Sequence, residues 1–153
     1  MTTSASGLFG NFGQSNYGAA KMGLIGMMNV LKIEGFKYNI KVNAIAPNAG
    51  SRLTEGVMPP EQFEKMKPDF ITPLVIYLCS EMCQENGNIY NAGQGLFNRT
   101  QVLNGATVLV GDGLIPPSAE EVWKSMDLIN DMTRSEFYDN LPDFLVKFTS
   151  SGN

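Results

Sequence analysis

The chain has 153 residues, 43% of them apolar and 17% charged, and a net charge of −4. This is the composition of one globular domain, and it excludes a disordered tail, a fibrous repeat and a membrane-embedded protein. Lys and Arg are not clustered, which argues against nucleic acid as a partner, and no apolar run approaches the ~20 residues of a membrane span.

In chain order, residues 1–13, with Gly7, Gly10 and Gly13, read as a loop leading into a helix. From Gln14 to Glu34 apolar residues recur at helical spacing (Ala20, Leu24, Met27, Met28, Leu31), predicting a helix. Gly18, Gly23 and Gly26 would each weaken an isolated helix by up to ~1 kcal/mol, so they point to close contact with another helix or a ligand. Met22, Met27 and Met28 are expected in the core or at a subunit interface. Ile40–Ala46 alternates as a short strand, stopped by Pro47-Asn48. The turn-rich residues 48–68 hold one short helix around Glu61–Met66. Asp69 is expected to cap a second helix, Phe70 to Ser80, with Pro73 in its first turn. Cys79 and Cys83 stand too awkwardly on a helix for a disulfide and read as buried free thiols.

Further on, Asn86-Gly87-Asn88 is a turn, Ile89–Ala92 a strand, and Gly93-Gln94-Gly95 a structural glycine segment. Ala106–Val110 is expected to be another strand, ended by Gly111-Asp112-Gly113. Ser118 and Glu121 form a capping box before a helix to Met132, and a terminal helix is expected from Pro142 to Phe148. Helices alternating with strands indicate an α/β fold.

The chain contains no histidine, which removes Ser-His-Asp and Cys-His chemistry and most zinc sites from these residues. Proton transfer must then use Tyr, Lys or carboxylates. Tyr17 and Lys21 stand four residues apart, one turn along a single helix face. A tyrosine is a poor acid or base at neutral pH, and a neighbouring ammonium favours the phenolate. Ser4, thirteen residues before Tyr17, can offer a hydroxyl to an oxygen on which charge develops. By spacing alone, a surface lysine beside a packed tyrosine would look the same.

The run Ser4-Ala5-Ser6-Gly7-Leu8-Phe9-Gly10-Asn11-Phe12-Gly13-Gln14-Ser15-Asn16-Tyr17-Gly18-Ala19-Ala20-Lys21 resembles the active-site block of short-chain dehydrogenases/reductases. Asn43–Thr54, Val57–Pro60, Met66–Asp69 and Pro73–Cys79 resemble one branch of that family, the (3R)-hydroxyacyl-CoA dehydrogenases of peroxisomal multifunctional enzymes and their bacterial relatives. The resemblance implies the C-terminal half of a Rossmann-like doubly wound parallel sheet. Residues 1–97 would be the catalytic half and 98–153 a C-terminal extension. It implies that Tyr17 exchanges a proton with the substrate oxygen, that Lys21 supports Tyr17 and holds the nicotinamide ribose, and that Ser4 orients the substrate. Pro47, Asn48, Ala49, Gly50 and Ser51 would meet the nicotinamide end of the cofactor, although Asn48 departs from the usual Pro-Gly loop. The implied cofactor is NAD, with NADP left open, and the implied substrate a 3-hydroxyacyl or 3-ketoacyl thioester.

Arg52 and Lys67 could meet a substrate phosphate, but surface charge is the stronger reading. The Gly-rich pyrophosphate turn of the family is absent from these residues, so the N-terminal dinucleotide-binding half is expected to be missing. Partners would be a homo-oligomeric copy or that missing half. Two alternatives stand beside the thioester enzyme: a 3-ketoacyl-carrier-protein reductase, and a non-catalytic remnant or interaction module. Met1–Ser6 lacks the features of a secretory signal, and Ser151-Gly152-Asn153 is not a peroxisomal address. The expected compartment is the cytoplasm.

Overall fold

The computed structural model describes residues 1–50 and 59–150, in two compact units, Met1–Thr100 and Gln101–Asn153. At the start of the first unit the expected loop is a helix. Ser4 is extended, and its Oγ accepts the Ser6 N–H at 3.2 Å, so helix α1 (Ala5–Phe9) forms where a loop was expected. One capped donor suffices for so short a turn, and it leaves no apolar periodicity to read.

Helix α2 (Ser15–Glu34) matches the predicted span to within one residue. Its buried positions are Ile25, Met28 and Lys32, while Ala20 and Met27 face outward. The helix is apolar around much of its circumference, so periodicity alone does not select the side that packs. Of its glycines only Gly18 meets a neighbour, with a hypothetical Cβ 3.4 Å from the Ser6 carbonyl oxygen; Gly23 and Gly26 face open space. The close approach is made instead by Gly7 of α1. A Cβ there would lie 2.9 Å from the Lys21 Cβ and 3.1 Å from the Met22 nitrogen, and only a residue without a side chain lets the helices meet so closely.

Strand β1 (Ala44–Pro47) is shorter than predicted and contains Pro47 rather than ending before it. Val42 and Asn43 instead bond to the 85–88 loop, through the Val42 N–H to Asn86 Oδ1 and Asn43 Nδ2 to the Glu85 carbonyl, both at 2.8 Å. The hydrogen-bond alternation explains the proline. Ala44 and Asn48 donate toward the following strand (2.9 and 2.7 Å), and Ile45 donates the other way, to Met1 (2.8 Å). The N–H that Pro47 lacks would thus face the Met1–Thr3 side, so the ladder to the following strand loses no bond.

Strand β2 (Ile89–Gly93) runs parallel to β1, from Ala44↔Ile89 to Pro47↔Ala92. Strand β3 (Leu96–Thr100), absent from the sequence reading, returns antiparallel to β2. Gln94 (φ 55°) and Gly95 (φ 79°) turn this hairpin in two positive-φ residues, the geometry whose twist suits a tight hairpin. On the opposite side of β1, Thr2 pairs in parallel with Ile45. The result is an α/β unit with a small mixed sheet, part of a Rossmann-like arrangement. Ile25 and Met28, 2% and 1% exposed, pack with Ala44 and Ile89, and Met1, Leu8 and Val42 close the cluster. Burial of each large side chain contributes about 1.5–3 kcal/mol.

Between β1 and β2, helix α3 (Pro60–Lys65) falls where a short helix was expected. Helix α4 (Thr72–Leu78) carries Pro73 in its first turn, but Asp69 does not cap it. Asp69 lies within a preceding 3-10 turn, Pro68–Phe70, and the N-cap position falls to Ile71, which offers no side-chain acceptor. Both cysteines are free; Cys83 is buried, whereas Cys79 is exposed, because the helix ends one residue before it.

In the second unit the capping box is present: the Glu121 N–H donates to Ser118 Oγ (3.3 Å) and the Ser118 N–H to Glu121 Oε2 (2.8 Å). The helix predicted to reach Met132 is split into α5 (Ala119–Lys124) and α6 (Met126–Ile129) at Ser125, whose hydroxyl bonds back to the Glu121 carbonyl at 2.9 Å. Helix α7 (Leu141–Ser150) contains the predicted terminal helix. Ala106–Val110 is not a strand. A β-prone tract becomes a strand only beside a partner edge, and among the described residues this one has no ladder; the nearby pairing is the isolated bridge Asn104↔Glu136.

Candidate active site

Three parallel segments set the place of the site. Met1–Thr3, β1 and β2 run in the same direction, so the residues that follow them leave the sheet at one edge. With Thr2 opposite Ile45 and Pro47 opposite Ala92, continuing the register sets Ser4 beside Pro47, with Asn48 and Gly93 next along that edge. This is the carboxyl edge, where open α/β sheets present ligand-binding loops.

Helix α2 brings Tyr17 and Lys21 to the segment that holds Ser4. The Thr3 N–H donates to Ile45 on the sheet (2.8 Å), and the Thr3 hydroxyl donates to the Lys21 carbonyl (2.7 Å). Lys21 Nζ donates to the Thr2 carbonyl at 3.0 Å and lies 5.7 Å from the centre of the Tyr17 ring. Tyr17 is 44% exposed, and its hydroxyl has no hydrogen-bond partner among the described residues. Lys21 retains donors beyond the one given to Thr2, and Ser4 keeps its hydroxyl proton, since its oxygen serves only as acceptor in the cap. A free phenol, an ammonium and a hydroxyl proton can together hold a hydroxylated ribose and a carbonyl oxygen.

The loop after β1 is anchored at both ends of its described part. The Asn48 N–H donates to Ala92 (2.7 Å), and the Gly50 N–H donates to Met66 (2.6 Å). Gly93 lies directly under this backbone, with a hypothetical Cβ only 2.4 Å from the Asn48 carbonyl oxygen. Pro47 and Ala49 are half-buried, Asn48 is exposed and Gly50 is buried. Ser51 and Arg52 lie outside the described residues. Lys67 is exposed and ion-paired with Glu64, whose hydrogen bond holds the Lys67 pKa above its ordinary value. Sequence reasoning missed Thr3, Gly7 and the contact role of Gly93. A threonine before Ser4 carries no spacing signal, and both glycines matter through residues distant in sequence. In the second unit, a cavity of about 370 Å³ includes Asn104, Thr107, Tyr138 and Phe144 in its lining and none of the predicted site residues.

Residues 1–62 match the short chain dehydrogenase family. A short-chain type dehydrogenase/reductase of Mycobacterium tuberculosis is 46% identical over 136 residues, which is 87% of this chain and 46% of that protein. By sequence and fold, the chain is related to the short-chain dehydrogenase/reductase family, whose pattern residues 1–62 match. Within it, the chain is closely related to the dehydrogenase domain of peroxisomal multifunctional enzyme type 2. The mouse protein of that name is 57% identical over 95 residues, covering 62% of this chain and 13% of the mouse protein. The solved full-length enzyme of Drosophila melanogaster superposes with a TM-score of 0.88 at 35% identity, over 99% of this chain and 28% of its own. The chain thus spans less than half the length of these relatives.

The relatives also correct the expected compartment. The mouse and Drosophila proteins are peroxisomal by name, so the cytoplasmic expectation does not stand. Composition reports solubility, which matrix enzymes of either compartment share, whereas compartment is read from short receptor-recognised addresses.

Proposed function

We propose that this chain carries the proton-transfer part of an NAD(P)-dependent oxidoreductase acting on a 3-hydroxyacyl or 3-ketoacyl thioester. The observation that carries the reading is the unpartnered Tyr17 hydroxyl, on one helix face with Lys21 and beside the segment bearing Ser4. A nicotinamide cofactor, when bound, would supply the hydride to the substrate carbon or accept it from there. Tyr17 gives the proton to the substrate oxygen, or takes it in the reverse direction. Lys21 holds positive charge on the same face and offers its remaining donors to the ribose. Ser4 donates its hydroxyl proton to the substrate oxygen. Pro47, Asn48, Ala49 and Gly50 form the wall for the nicotinamide end.

NAD is the cofactor we favour, on kinship with the multifunctional enzymes. Thioester chemistry agrees with the names of more distant relatives, an acetoacetyl-CoA reductase and a 3-oxoacyl-[acyl-carrier-protein] reductase. Residues 1–97 are the catalytic part and 98–153 its extension, and the compartment is the peroxisome. The exposed Met22, Met27, Val30 and Ile33 on α2 support a homo-oligomer. These residues lack a Gly-rich pyrophosphate turn, and that observation favours a second reading, an interaction module without turnover.

NADH-dependent reduction of acetoacetyl-CoA by the purified chain, with NADH binding measured by calorimetry, separates the two. Activity that falls by about 10²–10⁴ in Tyr17→Phe supports the enzyme reading, and full activity in that variant sinks the role of Tyr17. Absence of both binding and turnover leaves the interaction module.

A further inference from the structure

We propose that Thr3 is a positioning residue that sets the register of α2, and with it the reach of Lys21, against Ser4. The inference deepens the site reading given above and rests on it. Thr3 is 2% exposed, and it bonds in two directions at once. Its N–H holds the sheet at Ile45 (2.8 Å), and its hydroxyl holds α2 at the Lys21 carbonyl (2.7 Å). One residue earlier, the Thr2 carbonyl takes the Lys21 ammonium at 3.0 Å; one residue later stands Ser4. Main chain and side chain of Lys21 are therefore both tied to the two residues that precede Ser4.

The Thr3 hydroxyl is not needed to satisfy the Lys21 carbonyl. Inside an α-helix, that oxygen already receives the N–H four residues on, and valine would fill the same buried space. What the hydroxyl adds is direction. It fixes how far α2 can slide or rotate over Thr3, at the helical turn from which Lys21 and Tyr17 project. Gly7 presses on the same turn from α1, so the helix is held at two points on opposite sides of Ser4.

The test uses the complete 153-residue chain with Thr3→Val and Thr3→Ser. In the unsubstituted chain, the Thr3 hydroxyl proton should exchange slowly enough to be seen by NMR. Thr3→Val should shift the Lys21 carbonyl-carbon and ammonium resonances, and Thr3→Ser should return them. In the NADH-dependent assay, Thr3→Val should lower kcat on the order of tenfold to a hundredfold with little change in KM, as expected of a displaced reacting group; Thr3→Ser should restore most of it.

A fast-exchanging hydroxyl proton, or a Val variant with unmoved Lys21 resonances and unchanged kcat, overturns the proposal. So does a Ser variant that folds but recovers nothing. The hydroxyl-exchange measurement needs no variant and decides the matter even if Thr3→Val fails to fold. If the unsubstituted chain has no turnover, the functional reading fails while the resonances still report whether Thr3 positions Lys21.

Discussion

The two units are built from similarly apolar sequence and use it differently. In Met1–Thr100, Ile25 and Met28 are removed from water by a sheet they can lie on. In the second unit no described residue is fully buried, and Leu114 and Trp123 remain 88% and 71% exposed. The difference is one of available partners. Parallel strands backed by a long helix create an inside, whereas three short helices around an unpaired extended tract do not. Ser4, Tyr17 and Lys21 all belong to the unit that has a core. Local capping and turn bonds carry most of the order in the other.

Substitutions that remove core volume should separate the units most strongly. Ile25→Ala should cost about 2–5 kcal/mol in urea denaturation, by loss of transfer energy and an unfilled cavity. Leu114→Ala should change stability by no more than ~0.5 kcal/mol. Equal losses would break the comparison.

The helix crossing comes next. Gly7→Ala places a methyl 2.9 Å from the Lys21 Cβ, a methylene fixed to the backbone that cannot swing aside. Overpacking of this kind should cost about 1–3 kcal/mol, and NMR shift changes should concentrate at Lys21 and Met22. A neutral result would mean that α1 is not pinned to α2.

In the second unit, Ser118→Ala should cost about 1 kcal/mol and lower helicity by circular dichroism, leaving the first unit untouched. The Ser118 N–H, then its hydroxyl, hold the Glu121 carboxyl below the ordinary carboxylate range. The carboxylate therefore stabilises the cap at pH above its unfolded value, and this is lost as pH falls through the lower folded value. Acid titration followed by circular dichroism should show α5 losing helix, and Glu121→Gln should remove most of that dependence.

The smallest effect belongs to the sheet. Burial, then the hydrogen bond to Glu85 (3.1 Å), pushes the Tyr90 phenol up to about 12. The neutral phenol thus stabilises the first unit below the unfolded value near ~10, and its contribution fades as pH rises toward the folded one. Tyr90→Phe should flatten that alkaline loss in chemical denaturation at a series of pH values; an unchanged slope would remove Tyr90 from the account.

Family and site candidates were legible before the fold, because Ser4, Tyr17 and Lys21 lie within one short run whose spacing is local. For the same reason, α2, the Ser118 capping box and the strand at Ile89 were readable: helix periodicity, caps and a turn such as Asn86-Gly87-Asn88 are properties of neighbours in sequence. Elements that depend on distant partners were not. Leu96–Thr100 became a strand because β2 offered it an edge, and Ala106–Val110, with better β-formers, found none. Which side of α2 is buried was decided by where the sheet lies, and the importance of Thr3 and Gly7 by what α2 brings against them. By itself, the sequence carried the family resemblance, the candidate groups Ser4, Tyr17 and Lys21, and the long helix. Only tertiary structure decided which strands pair, which helix face is dry and what ties Lys21 to Thr2 and Thr3, since each depends on contacts between residues far apart along the chain.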